Sequence, residues 1–438
     1  MPLAATWLMM ASEGPLLAAV IARLPEPKFN LAAYGVAFAF AILVESPVIM
    51  MMSASTALVE DATSFRRLRN FTYSLNAVIT GVMLLLLLPP LFNLVLESLI
   101  GLPHDVARLT HRALIIMLPW PAAIGYRRFY QGLLIRGGKT RLVAYGTIIR
   151  FSVMASVSLA LFHVASLPGA YLAAVALSSG VCVEALAARL MARRTVRELI
   201  ATQSDGRASR DALDYGSITR FYIPLAMTSV LGLAVHPMVT FFMGGARFAI
   251  ESLAVLPVVN SLSFIFRAMG LSYQEVAIAL LGKNHEHAKE IGRFAIGLGL
   301  ASSLGLALIG FTPFARVWFE TISGLSPDLA AFAIIPTRIL APLPALSVFL
   351  SYQRAILVQG RYTRPITVAT GIEVAGIAIV LMTLIHGPAN MVGVTAAAIA
   401  FVAGRLADNA VLAPPCARAL KASRRALERI RGSEQPDQ

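Results

Sequence analysis

The chain has 438 residues, of which 57% are hydrophobic and only 14% charged. A soluble chain carries about a quarter charged residues, so this composition is that of a polytopic membrane protein. The net charge of +14 does not make a nucleic-acid binder, because most Lys and Arg fall in alternate loops and the tail, with no separate basic domain and no aromatic platform.

Apolar runs predict twelve membrane spans. Span one, 2–24, carries Glu13 and Pro15. Span two, 29–58, carries Glu45 and Pro47 and is followed by Arg66, Arg67 and Arg69. Span three, 71–99, has five consecutive leucines, Leu84 to Leu88. Span four, 111–134, contains Pro119 and Pro121 and exits at Arg136, Lys139 and Arg141. Span five, 142–165, holds Arg150, and the neutral turn Ser166–Gly169 leads into span six, 169–191, with Cys182 and Glu184. A polar connector of residues 192–216 follows, with a flexible break at Thr202–Gly206. Span seven, 218–243, contains Pro224, His236 and Pro237, and span eight, 250–281, contains Pro257, Arg267 and Glu275. Spans nine to twelve are 294–320, 330–357, 365–386 and 392–414. Pro342 and Pro344 lie in the tenth, Glu373 in the eleventh, and Arg405 and Asp408 in the twelfth. A basic tail ends in a disordered Gly-Ser-Glu-Gln-Pro stretch.

The arginine clusters alternate with neutral turns, which places both termini and the even-numbered exits in the cytoplasm of a plasma or bacterial inner membrane. The clusters in the connector and tail read first as topology signals; contact with anionic lipid is the other reading. The first apolar segment is too long for a signal peptide and lacks a cleavage site. Cys182 and Cys416 are far apart and form no disulfide or metal spacing. There is no phosphate loop and no nucleophile set, so neither ATP-driven pumping nor an enzyme is expected, nor any cofactor.

The two halves echo each other. Pro2-Leu3-Ala4 returns as Pro224-Leu225-Ala226, Pro15 as Pro237 and Leu31-Ala32 as Leu253-Ala254, all 222 positions later. At an offset of 223, Pro90, Glu97 and Gly101 match Pro313, Glu320 and Gly324, and at 224 Gly169 matches Gly393. Duplicated halves in an apolar chain are the mark of secondary transporters. Six spans per half give parallel repeats: an N-lobe of 1–191, a linker of 192–216, a C-lobe of 217–414 and a tail of 415–438. A polar lead, Ser217–Ile223, precedes Pro224, but only Met1 precedes Pro2. The native chain is therefore expected to begin upstream, or its first helix to be a turn short.

Spans four and ten end in related strings, Tyr130-Gln131-Gly132 through Gly137 to Thr140-Arg141 and Tyr352-Gln353-Arg354 through Gly360 to Thr363-Arg364. Each is a helix exit in which Gly ends the helix and Thr-Arg opens the next span. This ordered pair inside a six-plus-six chain resembles the multidrug and toxic compound extrusion fold, of the superfamily that includes the oligosaccharide-lipid flippases. The strings Leu31–Ala37 and Phe221 with Pro224–Ala226 and Pro237 resemble the progressive ankylosis family of the same superfamily. The first resemblance implies an all-α protein of two six-helix bundles in a V around a central cavity, and drug efflux. The second implies export of small anions such as pyrophosphate or citrate. Glu13 stands in span one, where many extrusion proteins carry Asp.

A charge at mid-membrane costs roughly 2.5–3.5 kcal/mol on insertion scales, so each one retained needs a reason. The repeat pairs them: Glu45 with Arg267 at 222, Arg150 with Glu373 at 223, and Glu184 with Asp408 at 224. Arg150, Arg267, Glu45 and Glu373 are the candidate substrate contacts, the arginines as donors to an anion. Glu13, Glu45 and His236 are the candidates for coupling to a proton or sodium ion. The structural readings are also open. Glu45 with Arg150 and Arg267 with Glu373 would be ion pairs inside one lobe, Arg405 and Asp408 a local pair on one helix face, and His236 a packed residue at the Pro237 kink. Prolines inside spans bend helices and free carbonyls. The expectation is a monomeric secondary exporter of small organic anions or polyanions working by alternating access. A cation/drug antiporter and a lipid-linked sugar flippase are the alternatives.

Overall fold

The computed structural model describes residues 2–164, 166–201, 214–282, 285–360, 362 and 364–433. The expectations about the native start, the break at 202–206 and the end of the tail fall on residues outside these.

The described residues are helical, with one isolated bridge between Arg247 and Val392. α1 (Pro2–Ala22) has Pro15 inside it. α2 (Pro27–Glu45) starts with proline in its first turn, where the missing N–H had no partner to lose. A single 3-10 turn at Ser46–Val48, bearing Pro47, separates it from α3 (Met51–Leu58). α4 (Ala62–Leu86) opens on a capping box: Ser64 N donates to Asp61 Oδ1 at 2.7 Å and Asp61 N to Ser64 Oγ at 2.9 Å. α5 (Pro89–Asn93) leads into a π turn, Leu94–Leu99, and the chain bends by 71° between α4 and this segment. α6 (His104–Ile116) and α7 (Pro119–Arg136) follow, then α8 (Thr140–Val164) and α9 (Gly169–Ala201). α10 (Tyr215–Leu233) and α11 (Val235–Gly244) break just before His236 and Pro237. Then come α12 (Ala249–Leu280), α13 (Ala288–Phe311) and the single turn α14 (Phe314–Arg316), which enters a second π turn, Val317–Ile322. α15 (Pro327–Leu340), α16 (Leu343–Gln359), α17 (Arg364–His386) and α18 (Gly393–Ser433) complete the chain.

Among the described residues, nine helices are long and apolar enough to cross a membrane, or ten if the bent pair Ala62–Leu86 and Pro89–Leu99 is one span. The other two expected spans are present as helices. The apolar stretch of α1 is short, Thr6–Ala22, and α6 with α7 carries Arg108, Arg112, Arg127, Arg128 and Arg136. Helices outrun the expected bounds in places: α9 continues past 191 to Ala201, and α18 runs 41 residues through Pro414 and Pro415. At about 1.5 Å per residue that helix is twice as long as the roughly 30 Å of a hydrocarbon core.

The outward faces are apolar. On α13, Leu300, Leu304 and Leu308 recur at one-turn spacing and are 64%, 61% and 55% exposed. Small residues of the same helix, Ala295, Gly299 and Ser302, are buried. This reversal of soluble-protein patterning is what a lipid solvent selects. The chain is an integral, multi-pass membrane protein.

Contacts divide the chain into two units: an N-unit of Leu16–Gly245, and a C-unit of Leu3–Pro15 with Ala246–Gln438. The N-unit therefore contains α10 and α11, and the C-unit contains the first part of α1. The N-unit core gathers Met51, Phe65, Leu68, Phe129, Leu133 and Tyr222. That of the C-unit gathers Tyr273, Val348, Ile356, Leu357 and Leu412.

The repeat reaches the backbone. The π turns Leu94–Leu99 and Val317–Ile322 lie 223 residues apart. Each ends on a left-handed glycine, Gly101 at φ 78° and Gly324 at φ 74°, a conformation that favours glycine. Glu26 and Phe248, both left-handed at φ 52° and 53°, precede α2 and α12.

Candidate functional site

Each unit holds a cluster of charged side chains where its helices meet. In the N-unit, α7, α8 and α9 meet at Glu184, which is fully buried. Arg127 pairs with its Oε2, and Arg150 Nε lies 3.6 Å from the same atom. Gln131 Nε2 donates to Oε1 at 3.1 Å. Arg127 and Gln131 are one turn apart and so share a face of α7. Both arginines are themselves buried, so the carboxylate is offset where isolated charge is costly. Glu45, at the C-terminal end of α2, faces Arg127, Arg128 and Arg150. Its Oε2 is buried without a hydrogen-bond partner. The N-unit cluster is thus Arg127, Arg128 and Arg150 with Glu45 and Glu184.

The C-unit repeats the scheme on α16, α17 and α18. Asp408 is fully buried and accepts from Arg354 Nη2 at 3.0 Å. The same nitrogen reaches Thr370 Oγ1 at 3.2 Å. Arg405 Nε lies 3.0 Å from Glu373 Oε1. Gln353, the counterpart of Gln131 at an offset of 222, donates to Asn409 O at 3.1 Å. Arg267 on α12 lies among Arg405 and Glu373, and its Nε is buried without a hydrogen-bond partner. The C-unit cluster is thus Arg267, Arg354 and Arg405 with Glu373 and Asp408. Each cluster sets three arginines against two acids. Among the described residues, no group of His, Cys, Asp or Glu is arranged to hold a metal ion.

No family model matches the sequence, and no match to it was found among curated proteins. Solved structures match over nearly the whole chain. A multidrug resistance MATE family transporter in its inward-facing conformation superposes with a TM-score of 0.75 at 15% identity, covering 96% of this chain and 96% of that one. The lipid II flippase MurJ matches at a TM-score of 0.67 and 15% identity, over 99% of this chain and 93% of its own. A transporter of the MOP superfamily from Pyrococcus furiosus, described by the reverse polarity of its binding pocket, matches at 0.64 and 14% identity, over 97% and 95%. This is the multidrug and toxic compound extrusion fold.

Within that fold, several expected pairings change. Arg150 pairs with Glu184, not Glu45, because α8 packs against α9, which carries Glu184. Arg405 pairs with Glu373 on α17, not with Asp408 three residues along its own helix. Asp408 instead meets α16. Arg267 and Glu373 are neighbours but form no ion pair among the described residues. Of the coupling candidates, Glu45 and His236 belong to the N-unit and Glu13 to the C-unit. Glu13 and His236 are half-buried, and Glu275 is exposed. Arg127 and Arg128 are cluster residues that the sequence did not single out, and Gln131, Gln353 and Arg354 stood out there only as parts of the two helix exits. The signal was there: a paired arginine one turn before a repeated Tyr-Gln, inside a span rather than at its exit.

Proposed function

We propose that the chain is a secondary active exporter of small organic anions or polyanions. The observation that carries this reading is the excess of arginine in both clusters, three against two acids in each. Guanidinium forks hold carboxylate and phosphate oxygens bidentately. A site for cationic drugs would need the opposite balance. Transport proceeds by alternating access, with a proton or sodium gradient as the driving force, since the sequence offers no nucleotide loop. The chain works as a monomer in a plasma or bacterial inner membrane, with both termini cytoplasmic and lipid as its surroundings.

The test is uptake into proteoliposomes under an imposed proton or sodium gradient. Pyrophosphate and citrate are expected to accumulate, and the cationic dye ethidium is not. Ethidium transport without anion transport would overturn the reading in favour of a drug antiporter. Movement of undecaprenyl pyrophosphate alone would make it a flippase, like the MurJ neighbour.

A further inference from the structure

The two faces of α7 assign different work to its adjacent arginines. Arg127 and Gln131 face α9 and are consumed by Glu184. Arg128, Gly132 and Arg136 recur at the same four-residue spacing on the face toward α3. Arg136 Nη1 donates to Thr56 O at 3.1 Å, and Thr56 Oγ1 donates to Gly132 O at 3.2 Å. A Cβ at Gly132 would lie 2.4 Å from the backbone oxygen of Met52 and 1.8 Å from Ser55 Oγ, so the α7 backbone sits directly against α3 here. Among the described residues Arg128 makes no ion pair with Glu184. Among the described residues its one hydrogen-bonding contact is the thioether of Met52, 3.7 Å from Nη1. Its Nε is buried and has no partner. A thioether is a weak acceptor, whereas a guanidinium carries five donors. Glu45 is near enough to feel Arg128 but makes no ion pair or hydrogen bond with it among the described residues. The residue that sequence singled out, Arg150, is instead committed to Glu184.

We propose that Arg128 is the residue through which the N-unit binds an oxyanion, a carboxylate or phosphate group of the transported molecule, while Arg150 positions Glu184. This rests on the anion-transport reading above. Arg267 is in a comparable condition in the C-unit: its neighbours Arg405 and Glu373 are paired with each other, and its Nε is left unpartnered. The oxyanion has two sources to be told apart, a free polyanion and a lipid pyrophosphate.

The experiment is calorimetric titration of the detergent-solubilised full chain with pyrophosphate, citrate and, in mixed micelles, undecaprenyl pyrophosphate. Whichever of these the unaltered chain binds is the probe. Arg128→Gln is expected to weaken its binding by about tenfold or more, since charge-assisted hydrogen bonds to the ligand are lost. The unfolding temperature should not fall, because no carboxylate loses a partner. Arg128→Lys keeps the charge without the fork, so it should bind with intermediate affinity. Arg150→Gln should lower the unfolding temperature. Unchanged binding in Arg128→Gln, or in Arg128→Lys should the first variant not fold, would overturn the proposal and leave the transport reading standing. Failure of the unaltered chain to bind any of the three would overturn both.

Discussion

Among the described residues, Glu184 and Asp408 are the two fully buried acids of the membrane spans, and each is held by an arginine from the span-four-type helix of its own unit, α7 or α16. The acids were legible in the sequence, because they fall at matched repeat positions. Their partners were not. Arg127 and Arg354 are not repeat equivalents, since the N-unit counterpart of Arg354 is Gly132. Salt-bridge choice depends on which face of a helix meets which neighbour, and spacing along one helix does not reveal that. Glu184→Gln leaves Arg127 and Arg150 facing a neutral amide in the interior. It should destabilise the chain by roughly 3–5 kcal/mol, the usual cost of stranding one half of a buried pair. Thermal unfolding in detergent measures this. Adding Arg127→Met should recover part of the loss, and a double variant no more stable than the single one would mean that the pair is not the unit of stability. Outside the membrane, Asp61 caps α4, and the backbone N–H and hydroxyl of Ser64 hold its carboxyl below the usual range. A depressed folded value means that the contribution is present above the ordinary carboxylate range and is lost as pH falls through it. Asp61→Ala should cost about 0.5–2 kcal/mol at neutral pH. The difference between variant and parent should vanish in acid, and a pH-independent difference would contradict the cap.

The helices themselves were largely readable, because a long apolar run has few other fates. What hydrophobicity could not show was where a run bends. The π turns at Leu94–Leu99 and Val317–Ile322 sit at the ends of expected spans three and nine, and apolar residues fill a π turn as readily as an α turn. The repeat did mark them, since Gly101 and Gly324 were already matched before their left-handed geometry gave the reason. Helix contacts follow the same logic with residues exchanged. In the N-unit, Gly125 of α7 lets Val48 approach, and an added Cβ would stand 3.1 Å from the Val48 Cβ. In the C-unit, the glycine is Gly270, the counterpart of Val48, and an added Cβ there would lie 3.2 Å from backbone atoms of Ser347 and Val348. The close crossing is kept while the small residue changes sides. Backbone, unlike a side-chain tip, cannot swing away, so Gly270→Val should cost about 1–3 kcal/mol through overpacking. A control at Gly371, where nothing lies within 4 Å of the added Cβ, should unfold near the parent temperature. Equal losses at both sites would point to helix propensity rather than packing.

At the level of the whole chain, composition fixed the membrane class and the repeat fixed two bundles, but neither revealed how the contacts divide. The boundary falls after Gly245 rather than in the polar connector, and Leu3–Pro15 groups with the C-unit. A linker is conspicuous in sequence because it is polar. Packing partners are set by geometry, and an apolar helix is equally compatible with either side. The orientation of the whole still rests on arginine placement. Single cysteines at Ser166 and Ser209 should therefore be labelled from opposite sides of sealed vesicles, and labelling from one side would remove the even number of spans between the termini. Energy coupling belongs to this scale too, because the acids expected to carry it are divided between the units, Glu45 in the N-unit and Glu13 in the C-unit. A carboxyl group within a span exchanges its charge at a free-energy cost that depends on which side supplies water, the property a proton-coupled cycle uses. Glu184 is committed to two arginines, whereas Glu45 keeps a buried oxygen that accepts no hydrogen bond and Glu13 stands at a half-buried position of α1. Glu13→Gln with Glu45→Gln should thus abolish transport driven by a pH step, and an unfolding curve recorded on the same preparation separates lost coupling from lost fold. Each single change assigns the coupling to one unit or to both. If the double variant still follows the pH gradient, protons couple elsewhere. If it responds only to a sodium gradient, and the parent does as well, the driving ion is sodium and these acids have another task.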